Sequence, residues 1–242
     1  MNDSKTEFIK FGNKVQTDKC VTSGININND HVEDSMCIEY LGVWLDKALS
    51  FKKHIKEKCK NAITLHRIRS IRAFLSKDCL LQIVQSLVIS QIDYCSCLLY
   101  GLPDSSLAKL QIVQNFAAKL ILNKRKYDSS KACLKELHWL PVRYIILFRL
   151  LCMCFKCING QGPNDLIGYF KLKELRRYDL RSSSGSCFIV PRTNSVMFGD
   201  RAFSIAGPRE WNKLPNIVKN SNSLELFKKN LKTHLFAVAF NL

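Results

Sequence analysis

The chain has 242 residues, of which 37 are Lys or Arg and 20 are Asp or Glu, a formal net charge of +17. Apolar residues at 47% support real cores in one large or two small domains, which excludes a disordered tail. The cationic excess makes nucleic acid the first partner to consider, ahead of an anionic membrane surface.

In chain order, residues 6–12 (Thr-Glu-Phe-Ile-Lys-Phe-Gly) alternate as a strand does, and residues 21–27 offer a second strand. Asn28-Asn29-Asp30 is turn chemistry before the chain returns through Val32 and Met36. The run Glu39-Tyr-Leu-Gly-Val-Trp-Leu-Asp46 mixes aromatic, β-branched and leucine residues and is expected to be a buried strand. Gly42 within it marks a close backbone approach. The first 46 residues therefore form a small antiparallel β-unit, too thinly apolar to stand alone.

From Phe51 the period becomes helical. Phe51, Ile55, Cys59, Ala62 and Leu65 share one face, with Lys53, Lys56, Lys60 and Arg67 opposite. Residues 51–77 hold nine cations (Lys52, Lys53, Lys56, Lys58, Lys60, Arg67, Arg69, Arg72 and Lys77) against the single acid Glu57. One-signed crowding forfeits i,i+4 ion pairs. Phosphate-backbone contact explains it, and plain solubility is the alternative. Ser76 or Asp78 caps a helix over 80–90. Gly101-Leu-Pro103-Asp104 breaks the chain before a third helix over 106–122, apolar at Leu110, Val113, Ala117, Leu120 and Ile121 and polar at Gln111, Asn115 and Lys119. Lys124-Arg125-Lys126 ends it, where cations suit the carbonyl end of the helix dipole. Three helices with short links make a bundle.

In the second half, a short helical piece at 134–137 leads to Pro141, which suits the first position of a helix reaching about Ile158. That helix is apolar nearly all round and is expected at the buried centre. Residues 176–185 are basic and Ser-rich, a loop or linker; 187–190 and 202–205 are short strand candidates. Gly207-Pro-Arg-Glu-Trp211-Asn-Lys-Leu-Pro215 is turn-rich, and Asn222 with Glu225 resembles a capping box opening a final helix. The eleven cysteines include Cys152, Cys154 and Cys157, with Cys95 and Cys97 as a second pair. They are read as reduced core residues, with a zinc knuckle as the alternative. The run 144–155 is broken by Arg149 and is too short to cross a bilayer. The start Met1-Asn-Asp-Ser-Lys lacks a leader's apolar segment, so an intracellular protein, cytoplasmic or nuclear, is expected without a membrane partner.

The ordered set of motifs resembles the C-terminal part of a reverse transcriptase from a non-LTR (LINE-type, jockey-like) retrotransposon. Asn2-Asp-Ser-Lys5-Thr-Glu7-Phe-Ile is similar to the polymerase's motif D, and Tyr40-Leu41-Gly42-Val43 to the primer-grip motif after it. Ser50-Phe51-Lys-Lys-His54-Ile, Ile92-Asp93-Tyr94-Cys95, Leu99-Tyr100-Gly101-Leu-Pro103 and Leu110-Gln111-Ile-Val-Gln114-Asn115 resemble the thumb. His138-Trp139-Leu140-Pro141-Val142, Leu180-Arg181-Ser182-Ser183, Gly207-Pro208-Arg-Glu-Trp211-Asn212-Lys-Leu214-Pro215 and Phe227-Lys-Lys-Asn-Leu231-Lys232 follow in the family's order.

The resemblance implies a mainly α fold: a palm remnant with a small antiparallel β-unit over 1–48, a three-helix thumb-like bundle over 49–127, and an α-rich C-terminal domain over 128–242 with a few short strands. It also implies template–primer or RNA backbone binding, as RNA or RNA/DNA duplex, through Lys52, Lys53, Lys56, Lys60, Arg67, Arg69, Arg72, Lys119, Lys124, Arg125 and Lys126. The full-length family enzyme is an RNA-directed DNA polymerase that needs Mg, held by carboxylates upstream of motif D. No Asp-Asp pair occurs in this sequence. The expectation is therefore a truncated, non-catalytic fragment with no catalytic residues, no metal site and no cofactor of its own, and with Lys5 an ordinary exposed lysine. The alternatives are an interaction or structural remnant that seeks a partner such as an intact polymerase chain, and a domesticated nucleic-acid-binding protein.

Overall fold

Helices and short hairpins make up the computed structural model, which describes residues 6–12, 14–20, 24–27, 30–172, 187–193, 195 and 198–242. Lys5, the Asn28-Asn29 turn, the basic 176–185 stretch and the Leu180-Arg181-Ser182-Ser183 motif lie outside those residues. The N-terminal region holds a short helix, α1 (Lys14–Lys19), and two separate antiparallel hairpins. The first pairs β1 (Gly24–Ile27) with β2 (Asp30–Glu33), and the second pairs β3 (Cys37–Tyr40) with β4 (Val43–Asp46). Residues 6–12 are not the expected strand: among the described residues they make an isolated bridge from Phe8 to Asp34, and the Gly12 amide donates to the Lys47 carbonyl. Lys10 and Lys47 both reach the Asp34 carboxylate there, and such pairing holds an extended segment without a ladder.

The run 39–46 is likewise not one strand. It folds back on itself at Leu41 (φ 47°) and Gly42 (φ 75°), so that Tyr40 faces Val43 across a two-residue turn. Positive φ at both central residues is the type I′ geometry, whose twist matches that of the flanking strands. Gly42 is there for its conformational freedom rather than for a close packing contact. Leu41 pays steric strain in this position and is 73% exposed, so its side chain recovers little by burial. Leu41→Asn is expected to stabilise the protein by about 0.5–1 kcal/mol, since asparagine tolerates this conformation. A thermal melt checks it, and an unchanged or lowered midpoint counts against the strain.

Asp46 makes the corner from β4 into the helices: its carboxylate accepts from the Ser50 and Phe51 amides and from Ser50 Oγ. The expected long helix then begins, divided at Lys60 into α2 (Lys52–Cys59) and α3 (Asn61–Ile71). A 3-10 turn over Arg72–Phe74 leads to α4 (Lys77–Val84), where Ser76 Oγ caps the Cys79 amide. A π-helical segment, Gln85–Ile89, joins α4 to α5 (Ser90–Asp93). Beyond it come α6 (Asp104–Ile121), α7 (Ser130–Glu136), α8 (Val142–Ile158), α9 (Asn164–Ile167), α10 (Phe203–Asn212), α11 (Asn216–Lys219) and α12 (Leu224–Phe240).

Two apolar clusters meet on α8. Val142 and Ile146, near its start, join a core built from β4, α2–α6 and the segments between them, centred on Leu65, Val84, Val88 and Ala117. Leu150, Leu151, Cys154 and Phe155, further along, join a second core with α10 and α12. Phe155 and Phe227 stack with ring centroids 4.4 Å apart, and Trp211 stacks on Phe227 at 5.6 Å. Cys152, Cys154 and Cys157 are buried within this half, and burial pushes the Cys152 thiol up to about 11. They pack as small hydrophobes. Gln111, expected on the polar side of α6, is half-buried and works with Gln114. Gln114 is 1% exposed and donates to the Leu140 carbonyl, while Gln111 Oε1 accepts from the Val142 amide, so the pair anchors the entry to α8.

Four C-terminal expectations change. Residues 202–205 enter α10 instead of a strand, and the Gly207–Trp211 motif is the body of that helix despite Pro208. Packing against α8 overrides local propensity here, and Gly207 allows it: a Cβ at 207 would lie 3.1 Å from Phe170 and 3.2 Å from Cys154 Sγ. Residues 187–190 supply only a bridge from Phe188 to Leu172. The cap of α12 is Ser223, whose hydroxyl accepts from the Leu226 amide, and not Asn222. The mainly helical class with small antiparallel pairings stands. No helix is long and apolar enough to cross a membrane among the described residues.

Candidate nucleic-acid interface

The basic residues anticipated from sequence separate into two groups in space. Arg69 and Arg72 come from the end of α3 and the turn after it. Lys119, Lys124, Arg125 and Lys126 come from the end of α6 and the loop beyond. All six line one open cleft of about 570 Å³. No acidic side chain lines it among the described residues. Its remaining walls are Ala62, His66, Ile112, Asn115, Phe116, Leu120, Asn123 and Ser130.

Helix packing brings the two segments together. Leu65 and Ile68 of α3 and Val113 and Ala117 of α6 are buried in the shared core, so the two helices lie against each other. The residues left on the adjoining sides, 62, 66 and 69 on α3 and 112, 115, 116, 119 on α6, follow helical spacing and form the walls. His66 and Phe116 meet at a centroid distance of 4.8 Å, with their planes tilted by 48°.

Hydrogen bonds fix the rim. Asn123 takes a left-handed conformation (φ 54°) after the last turn of α6, and the Lys124 amide then donates to the Lys119 carbonyl, ending the helix and turning the chain back. The Lys119 ammonium donates to the Lys126 carbonyl at 2.7 Å, and the Arg125 amide to Asp128 Oδ2 at 2.6 Å. Across the cleft Arg72 Nε donates to the Leu120 carbonyl at 2.8 Å, tying the two ends together. Neutral backbone carbonyls hold Arg72 and Lys119 in place without cancelling their charge. Six like charges gathered this way, with Asp128 the carboxylate bonded at the rim beside Arg125, leave a net positive potential that an external anion relieves.

The other expected contacts lie apart from this cleft. Lys52, Lys53, Lys56, Lys60 and Arg67 are exposed but do not line it. Lys60 pairs with Glu57, and Lys53 sits 3.2 Å from the Trp44 ring centroid, a cation–π contact. Lys58 donates to Gln91 and lies over Tyr94. The basic face of the first amphipathic helix is therefore partly engaged with its own surroundings. Tyr40, Leu41, Gly42 and Val43 form the β3–β4 tip; Tyr40 and Leu41 are exposed, Val43 is buried, and the Tyr94 hydroxyl donates to the Leu41 carbonyl.

His66, Ile112, Phe116 and Asn123 were not singled out from sequence as site residues. The available signal was the face 112, 115, 116 and 119, where Ile and Phe interrupt an otherwise polar side of α6. His54 is a different case. It is 2% exposed, its Nδ1 lies 3.4 Å from the Trp44 amide as an acceptor, and burial with help from Lys58 lowers its pKa to about 4. It is a neutral core histidine at pH 7. Among the described residues no group of three or more His, Cys, Asp or Glu could hold a metal ion. No family model, curated protein or solved structure shows significant similarity to this chain.

Proposed function

We propose that this protein binds the phosphate backbone of nucleic acid through the α3–α6 cleft, as the non-catalytic thumb-side portion of a non-LTR reverse transcriptase would. The convergence of six cations from two separate segments on one acid-free cleft supports this reading above all else. A solvated surface that served only solubility would intersperse acids to gain ion pairs. Polymerisation itself is no part of the proposal, because the sequence carries no Asp-Asp pair. RNA or RNA/DNA duplex is the substrate that the family resemblance suggests.

The test is a salt titration of binding to a short labelled RNA. Log affinity is expected to fall linearly with log salt, with a slope of magnitude about 3–5 if four to six phosphates are neutralised. Affinity unchanged between low and moderate salt would remove the electrostatic reading. A second reading, docking on an intact polymerase chain, draws on the β3–β4 hairpin. That sheet has two strands, and Met36, Tyr40 and Leu41 beside it are exposed. Light scattering at increasing concentration and mixing with such a chain would reveal that association.

A further inference from the structure

We infer that the cleft seats an unpaired nucleobase, so that the protein selects single-stranded over double-stranded nucleic acid; this rests on the backbone-binding reading above. A cleft serving phosphates alone needs only cations. This one has an aromatic and apolar floor within its cationic rim: Phe116 with His66 beside it, and Ile112, which is 67% exposed. An exposed isoleucine and the uncovered part of a partly buried phenylalanine gain nothing from a passing phosphate. A base face covers both.

The dimensions and the polar groups agree. About 570 Å³ falls within the roughly 300–1,000 Å³ of small-ligand pockets, which admits a base with its sugar and not a duplex. Asn115 and Asn123 line the same space and offer amide donors and acceptors to a base edge, with Asn115 Oδ1 already accepting from Gln111. On the loop that carries the rim cations, Tyr127 is 92% exposed with Lys126 Nζ 5.8 Å from its ring. A tyrosine that buries almost nothing in the fold is free to stack on the next base of the same strand. Alternating cations and aromatic faces is how non-specific single-strand sites combine backbone neutralisation with stacking. In a duplex the bases are stacked on each other, and only the phosphates are offered.

The experiment compares a labelled oligouridine of about twelve nucleotides with a blunt RNA duplex of equal length, by fluorescence anisotropy at several matched salt concentrations. The intact protein is expected to prefer the single strand by about tenfold, and Phe116→Leu and Tyr127→Ala to weaken it by roughly 5- to 150-fold each, the value of one lost stack. Their duplex affinity and salt slope should stay at the intact protein's values. Tyr127→Ala removes an exposed side chain, so it remains informative if Phe116→Leu lowers the melting temperature. Equal affinity for both forms, with both variants silent, overturns the base site and leaves backbone binding standing. Absence of any salt-sensitive binding overturns both.

Discussion

Replacing Lys124, Arg125 and Lys126 together by alanine is expected to weaken nucleic-acid binding by about a hundredfold at low salt and to reduce the salt slope by about 2–3. The magnitude follows from counterion release, since each neutralised phosphate contributes close to one unit of slope. The rim should survive the change. The bonds that shape the loop use backbone atoms of these residues: the Lys126 carbonyl, the Arg125 amide and the Lys124 amide. Truncating their side chains leaves those atoms in place. The matched control is Lys52→Ala with Lys53→Ala and Lys56→Ala. It removes the same charge from exposed positions outside the cleft and should cost several-fold less. Equal losses from the two triple variants would mean that net charge alone drives binding, and the cleft would lose its special standing.

The helices that position this cleft were legible because their signals are local. Apolar periodicity placed α6 and α8 to within about two residues, and of the two cap candidates Ser76 and Asp78 it is Ser76 that caps α4. Hairpin geometry was harder to see. In the run 39–46 nothing but Gly42 hints at a reversal, because the other turn residue is leucine, a poor choice for positive φ. The α10 segment was misread because Gly207 and Pro208 are ordinarily turn residues, and their tolerance here depends on α8 lying close by. The site itself was half visible. Every cation of the cleft was expected, yet no one-dimensional pattern joins residue 69 to residue 125. Only the packing of α3 on α6 separates those six from the lysines of α2. His54 was invisible for the same reason, since its burial depends on the β4–α2 corner that Asp46 builds.

That corner carries the last expectation: acid should destabilise the protein through His54 well before most carboxylates titrate. The folded pKa of about 4 lies below the ordinary 6.5 because burial, with Lys58 nearby, penalises the imidazolium. The unfolded chain therefore binds more protons than the folded one between these values. The stability contributed by neutral His54 is fully present above pH 6.5 and is lost as pH falls toward 4. The two pKa values correspond to about 2 kcal/mol lost between neutral pH and pH 5, and about 3 kcal/mol in total by the acid limit. Glu39, Glu57 and Lys58 line the same opening as His54. Of these, Lys58 adds to the loss by opposing the imidazolium. Urea unfolding at pH 7.5 and pH 5 measures the difference, and His54→Leu should abolish most of it while lowering stability at neutral pH by about 1 kcal/mol for the unpaired Trp44 amide. If the variant and the intact protein lose equal stability over that interval, the proton goes elsewhere, and the β4–α2 corner is not what acid attacks first.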